Sequence, residues 1–113
     1  MHESMIAGNL LEIMLAESAK QGGRAMGAKI SCGAFDAVND EVLCFAFSAI
    51  AKGTACEGVE LEIEHKPILG QCRECGGVFS FDFDRPNCPD CGGDFSLLPD
   101  EPLLLESMEF DTE

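Results

Sequence analysis

This sequence predicts an α+β fold: two helices packed on a small three-stranded sheet, with an inserted four-cysteine zinc-ribbon module. Three observations carry that prediction. Segments of helical spacing alternate with segments of period two, four of the seven cysteines fall into two CxxC pairs, and those pairs lie between two segments of strand period.

Residues 3 to about 21 place Ile6, Leu10, Ile13 and Met14 at helical spacing, with Glu12, Glu17 and Lys20 on other faces, and Gly22 and Gly23 supply the stop. The period then changes to two. Met26, Ala28, Ile30, Cys32 and Ala34 alternate with Gly27, Lys29, Ser31 and Gly33, which predicts a strand with one buried face built from small residues. A second helix is expected over DEVLCFAFSAIAKG, capped by Asn39 or Asp40, with Val42, Leu43, Ala46, Phe47 and Ile50 as its apolar side and Gly53 at its end. GVELEIEHK is the cleanest strand: Val59, Leu61 and Ile63 face one way, and Glu60, Glu62, Glu64 and Lys66 the other. Pro67 and Gly70 break it just before the first CxxC, and LLLESMEFD reads as a last strand with blurred alternation. The expected organisation is therefore residues 1–69 with 100–113 as one α+β domain, and residues 70–99 as a ribbon budding from it.

Composition narrows the function. The chain is 46% hydrophobic, enough for a core, and no stretch is long and apolar enough to cross a membrane. The amino terminus lacks the basic start and apolar run of a signal peptide, so a cytoplasmic address is expected. With 21 acidic against 7 basic residues the formal charge is −14, which repels a phosphate backbone, so nucleic acid is not an expected partner. Neither a GxxxxGK(S/T) phosphate loop nor a GxSxG elbow is present, so nucleotide hydrolysis and serine hydrolysis have no support.

QCRECGG and NCPDCGG give C-x2-C-x12-C-x2-C from Cys72, Cys75, Cys88 and Cys91. Two residues between cysteines let both thiolates bend onto one ion, and the following glycine permits the tight turn. Two such knuckles complete a tetrahedral site of four sulfurs, and a module of about thirty residues needs that metal for stability. Zinc is favoured because all four positions are thiolate and none is left for water. Iron fits four thiolates as well, and the CPxCG pair also resembles rubredoxin-like modules. Phe79, Phe81 and Phe83 alternate beside the site and are expected to pack the ribbon core.

The opening MHES puts a terminal amine, the His2 backbone nitrogen, its imidazole and the Glu3 carboxylate within a few bonds. Four N/O donors in one plane suit Ni(II) or Cu(II) better than zinc. The simpler reading of His2, taken alone, is a frayed and solvated terminal residue.

Taken together, MHE at the start, a following helix, an acidic-capped second helix ending KGT, a GxELEIE strand, and the CxxC and CPxCG pairs resemble the HypA/HybF family, the nickel-incorporation accessory proteins of NiFe-hydrogenase maturation. The resemblance covers essentially the whole chain. It implies a metallochaperone, not an enzyme, with transported Ni(II) and structural Zn(II). It implies nickel ligation by the Met1 amine, the His2 nitrogens and the Glu3 region, with Asp40 matching an acidic residue at the start of the second helix. The zinc module maps onto Cys72, Cys75, Cys88 and Cys91. Implied partners are a GTPase accessory protein of the nickel-insertion pathway and the hydrogenase large-subunit precursor; urease maturation is a further role in some relatives. A monomer or weak homodimer is expected. The first strand ends SCGAFDAV where the family pattern has Gly-x-Leu-Ser, with Phe35 and Asp36 in the last two places, a loop variation expected to leave the metal sites intact.

Other residues read as structural. His65 ends a strand beside Lys66 and is expected to be satisfied or exposed, Cys32 and Cys44 fall on apolar faces, and Cys56 lies in a loop where it could be a reactive thiol. Glu60, Glu62 and Glu64 read as a solvated sheet face, with docking of a basic partner the lesser alternative. An iron electron-transfer module or a zinc-ribbon interaction adaptor would explain the cysteines but not the amino terminus.

Overall fold

The computed structural model of this chain describes residues 2–35 and 37–111. Met1, the expected source of the amine ligand, and Asp36 of the variant loop lie outside the described residues. Helix α1 (Glu3–Gln21) leads into strand β1 (Arg24–Cys32), helix α2 (Asp40–Ala51) and strand β2 (Glu60–His65). Three short strands, β3 (Leu69–Cys72), β4 (Val78–Ser80) and β5 (Phe95–Leu97), precede the last strand, β6 (Leu104–Asp111).

The helix ends follow from their residues. Gly22 adopts φ 70°, a left-handed conformation costly for a side chain, and its N–H donates to the Ser18 carbonyl at 3.0 Å. At the start of α2, the Asn39 side-chain oxygen accepts the Val42 N–H at 3.0 Å, and Asp40 and Glu41 in the first turn meet the positive end of the helix dipole.

One sheet has the order β2-β1-β6. Strands β1 and β2 run parallel, from Gly27 opposite Glu60 to Cys32 opposite His65, with α2 as the crossover between them. Strand β6 returns antiparallel on the other edge of β1, from Arg24 opposite Asp111 to Ser31 opposite Leu104. Helices α1 and α2 cover the inner face. Ile6, Leu10 and Met14 of α1 and Leu43 and Phe47 of α2 are buried with Ala25, Ala28, Ile30 and Cys32 of β1 and Val59 before β2. Burial of a side chain such as Leu43 or Phe47 contributes about 1.5–3 kcal/mol.

The predicted faces need correction at five positions. Ile13, Val42 and Ile50 are exposed, because each helix buries a narrow stripe spaced four residues apart (Ile6, Leu10, Met14; Leu43, Phe47, Ala51); Val42 stands about 140° from its centre, and Ile13 and Ile50 lie on its flank, about 60° from the centre. Met26 is exposed because the pairing of β1 with β6 slips between Ala25 and Gly27, so that Ala25 joins Ala28, Ile30 and Cys32 inside. Ala34 lies beyond the end of β1, in an exposed turn. There the Asp100 carboxylate accepts the Ala34 and Phe35 N–H groups, each at 2.9 Å, and tethers the variant loop to the segment entering β6.

The other sheet has the order β4-β3-β5, both pairings antiparallel. Its packing depends on Gly70, where a Cβ would stand 2.9 Å from Phe95 and 3.0 Å from Phe79. The absence of that atom lets the two rings pack edge to face with centroids 5.2 Å apart, and Phe81 adds to Phe95 at 5.5 Å. Phe83 departs from expectation: it leans on Phe81 but remains 82% exposed.

Candidate metal centres

The ribbon's two knuckles are built alike. In the first, the Cys72 N–H donates to the Gly77 carbonyl at 2.9 Å and the Gly76 N–H to the Cys72 carbonyl at 3.2 Å; in the second, Cys88 donates to Gly93 at 3.1 Å and Gly92 to Cys88 at 2.9 Å. Gly76 and Gly92 take φ 76° and 74°, so the first glycine of each CxxCGG is the residue that lets the turn close. Closure brings the thiols of Cys72, Cys75, Cys88 and Cys91 together, all four sulfurs within 4.8 Å of one another. Cys72 and Cys91 stand 3.4 Å apart and Cys75 and Cys88 3.8 Å apart. A tetrahedral ion with metal–sulfur bonds of about 2.3 Å needs sulfurs about 3.8 Å apart, so the donor set and spacing fit a structural zinc.

Electrostatics favour thiolate at one position first. The Cys75 and Glu74 N–H groups both point at the Cys72 sulfur, each at 3.4 Å, and hold its pKa down to about 6. The Gly93 N–H favours the Cys91 thiolate too, but the Cys72 sulfur, desolvation and the other two cysteines outweigh it and push that thiol up to about 12. Without a cation, four sulfurs this close cannot all ionise. A divalent metal supplies the missing charge.

The amino terminus is arranged differently. His2 is the exposed N-cap of α1, with φ −92° and ψ 115°; its carbonyl accepts the Met5 and Ile6 N–H groups at 3.1 and 3.2 Å, and its imidazole takes no part in capping. Glu3 reaches across to α2, where its Oε2 accepts the Asn39 N–H at 2.9 Å. That hydrogen bond holds the Glu3 carboxyl below the usual carboxylate range, helped by the Glu3 N–H itself. The same contact sets the start of α1 beside the start of α2, one residue from Asp40. Asp40 is exposed, and its Oδ1 lies 2.6 Å from His65 Nε2.

His2, Glu3 and Asp40 are thus neighbours without forming a cage. Among the described residues, the four-cysteine cluster is the one group of three or more His, Cys, Asp and Glu side chains whose ligand atoms converge.

The remaining residues sort by burial. Cys32 is buried and its sulfur lies 3.4 Å from His65 Nδ1. Cys44 is half-buried, and its thiol is pushed up by desolvation and by Asp40. Cys56 is no reactive thiol: it is fully buried, 4.0 Å from the Ser18 hydroxyl, and desolvation raises its pKa despite that contact. Glu60, Glu62 and Glu64 line the exposed side of edge strand β2, with Glu64 3.3 Å from Lys29. Sequence reasoning missed the Asn39 backbone as the bridge to Glu3, and Phe95 and Gly70 in the ribbon; the position of Gly70 two residues before the first knuckle was the available signal.

Comparison with known proteins agrees with this arrangement. The model of the family described as hydrogenase/urease nickel incorporation, metallochaperone, HypA, matches residues 1–110. The hydrogenase maturation factor HypA of Desulfitobacterium hafniense is 36% identical over 115 residues, covering 98% of this chain and 99% of that one. The factor of the same name from Syntrophus aciditrophicus is 32% identical over 114 residues, covering both chains completely. The fold is similar to the solution structure of the Ni metallochaperone HypA from Helicobacter pylori, with a TM-score of 0.65 at 20% identity and full coverage of both chains. A second HypA solution structure gives a TM-score of 0.72 at 20% identity, covering 100% of this chain and 98% of that one. With a four-cysteine ribbon carried on this α+β fold and a family match over nearly its whole length, the chain belongs to the HypA family of hydrogenase nickel-incorporation metallochaperones.

Proposed function

We propose that this metallochaperone captures Ni(II) at its amino terminus with the Met1 amine, the nitrogens of His2 and the Glu3 region, and that Asp40 completes the site. The observation that supports this ligand set is the Glu3–Asn39 hydrogen bond, which joins the beginning of the chain to the beginning of α2. A helix start is a poor place for a free cation, since the dipole is positive there. Deprotonation of a backbone amide on nickel binding, together with the Glu3 and Asp40 carboxylates, reverses that local charge. The first backbone N–H groups of α1 have no helical acceptor, so a deprotonated one costs no helix hydrogen bond.

Zinc is held by Cys72, Cys75, Cys88 and Cys91, whose job is to fold the ribbon. On this reading residues 1–69 with 100–113 are the nickel-handling unit and residues 70–99 the zinc unit. The chain performs no chemical transformation; it works in the cytoplasm as a monomer or weak homodimer. It passes nickel to a GTPase accessory protein and onward to the hydrogenase large-subunit precursor, with urease a second client. An exposed chelate suits this work because a partner can invade its coordination sphere, which the closed thiolate cage does not allow.

The test is complementation. In a host lacking its own HypA, the wild-type chain should restore NiFe-hydrogenase activity at limiting nickel. The His2→Ala variant should fail while retaining its zinc. Full restoration by His2→Ala would overturn the amino-terminal assignment.

A further inference from the structure

The fold places one imidazole where no requirement of the helical core or the ribbon explains it. His65 is the last residue of β2 and stands in register with Cys32, the last residue of β1. The strand ends are fixed by the backbone, since the Lys66 N–H donates to the Cys32 carbonyl at 2.9 Å. Both ring nitrogens are engaged: Nε2 lies 2.6 Å from Asp40 Oδ1, and Nδ1 lies 3.4 Å from the Sγ of Cys32, which is 1% exposed. An ionised carboxylate can only accept, so Nε2 carries the hydrogen and Nδ1 faces the thiol. The His65 side chain is itself 40% exposed, so its contact with the buried Cys32 sulfur is what holds the ring, and the ring in turn holds one oxygen of Asp40.

We propose that His65 is a positioning residue for nickel: it orients the Asp40 carboxylate toward the metal from outside the coordination sphere, with Cys32 anchoring the ring. This rests on the reading that Asp40 contributes to the nickel site. Two side chains then fix the start of α2 from separate directions. Glu3 holds the Asn39 backbone at 2.9 Å, and His65 holds the Asp40 side chain at 2.6 Å. Groups that orient a metal ligand by hydrogen bonding typically contribute about 10- to 100-fold to metal affinity. An oriented carboxylate meets the metal in its bound geometry, whereas a free one must be immobilised during binding. Asp40 is exposed, so packing does not orient it and the imidazole does.

The test is a double-substitution cycle on the zinc-loaded full chain with its native terminus, titrated with nickel alone by calorimetry and by the visible absorption of the nickel complex. His65→Ala should weaken binding about 10- to 100-fold and leave the position of the absorption bands unchanged, because the ligands are the same. His65→Gln, which can still donate to Asp40, should recover much of the loss. In the Asp40→Ala background, His65→Ala should have no further effect. Undiminished affinity in His65→Ala beside a weakened Asp40→Ala would overturn the positioning role alone. So would an equal His65→Ala loss in both backgrounds, which marks a general effect on the fold. A band shift in His65→Ala would make the ring a ligand in its own right and overturn the role as stated. Wild-type affinity in Asp40→Ala would remove Asp40 from the nickel site, and with it both the underlying reading and this proposal.

Discussion

The four-cysteine ribbon and the proposed nickel site at the amino terminus differ in how much of each exists before a metal arrives. In the ribbon, matching knuckles with left-handed glycines at 76 and 92 draw four sulfurs to within 4.8 Å, and backbone N–H groups already favour thiolate at Cys72. At the amino terminus, His2, Glu3 and Asp40 are adjacent but spread, with Asn39 engaging the Glu3 carboxylate and His65 that of Asp40. A pre-assembled, saturated cage keeps its ion; an exposed, partly assembled site can take an ion and give it up. On the proposed assignment of nickel to the amino terminus, retention and transit come from the same chain through different degrees of preorganisation, not through different folds.

This contrast can be broken from either side. The largest effect is expected from the ribbon: Cys88→Ala removes a ligand and should take zinc from about one ion per chain to roughly none, because a module this small depends on its metal. Elemental analysis with amide spectra would check it. Signals from residues 69–97 should collapse while those of α1 and α2 persist. Collapse of both regions would mean that the two are not separable.

A complementary lesion lies in the helical core. Phe47 is 1% exposed, and Phe47→Ala should cost about 3–5 kcal/mol in denaturant unfolding of the α+β unit. Zinc should remain bound. Zinc loss in parallel would show that the cage leans on the helices.

A smaller effect is expected at Glu3. Its folded carboxyl lies below the ordinary value of 4.5, so its stabilisation is fully present above the unfolded pKa and is lost as pH falls through the lowered folded value. Between about pH 5 and pH 3 the wild type should lose more stability than Glu3→Gln, which has no such proton to take up. Thermal unfolding of the α1 and α2 signals across that range would measure it. Parallel curves would detach Glu3 from Asn39.

Much of this was legible in the sequence because the signals were local. The CxxCGG spacing specifies the knuckles through two-residue geometry, and the alternation of GVELEIEHK specifies β2 through period two. Helix faces were legible only in part. DEVLCFAFSAIA is apolar nearly all round, so periodicity could not say that Leu43, Phe47 and Ala51 turn inward while Val42 and Ile50 turn out. The slip beside Met26 depends on how β6 pairs with β1, and the Asp100 tether of the Phe35 loop spans 65 residues. The Cys32–His65–Asp40 contacts likewise link two strand ends and a helix start that only the folded chain brings together.

The central claim is that the amino terminus itself is the transit site. It is tested most directly by titrating nickel into zinc-loaded protein with its native terminus, beside a version carrying two additional residues before Met1, followed by calorimetry and by the visible absorption of the nickel complex. Loss of stoichiometric nickel binding in the extended protein, with zinc unchanged, is the predicted result. Equal binding by the two would contradict the claim and remove the terminal amine from the site.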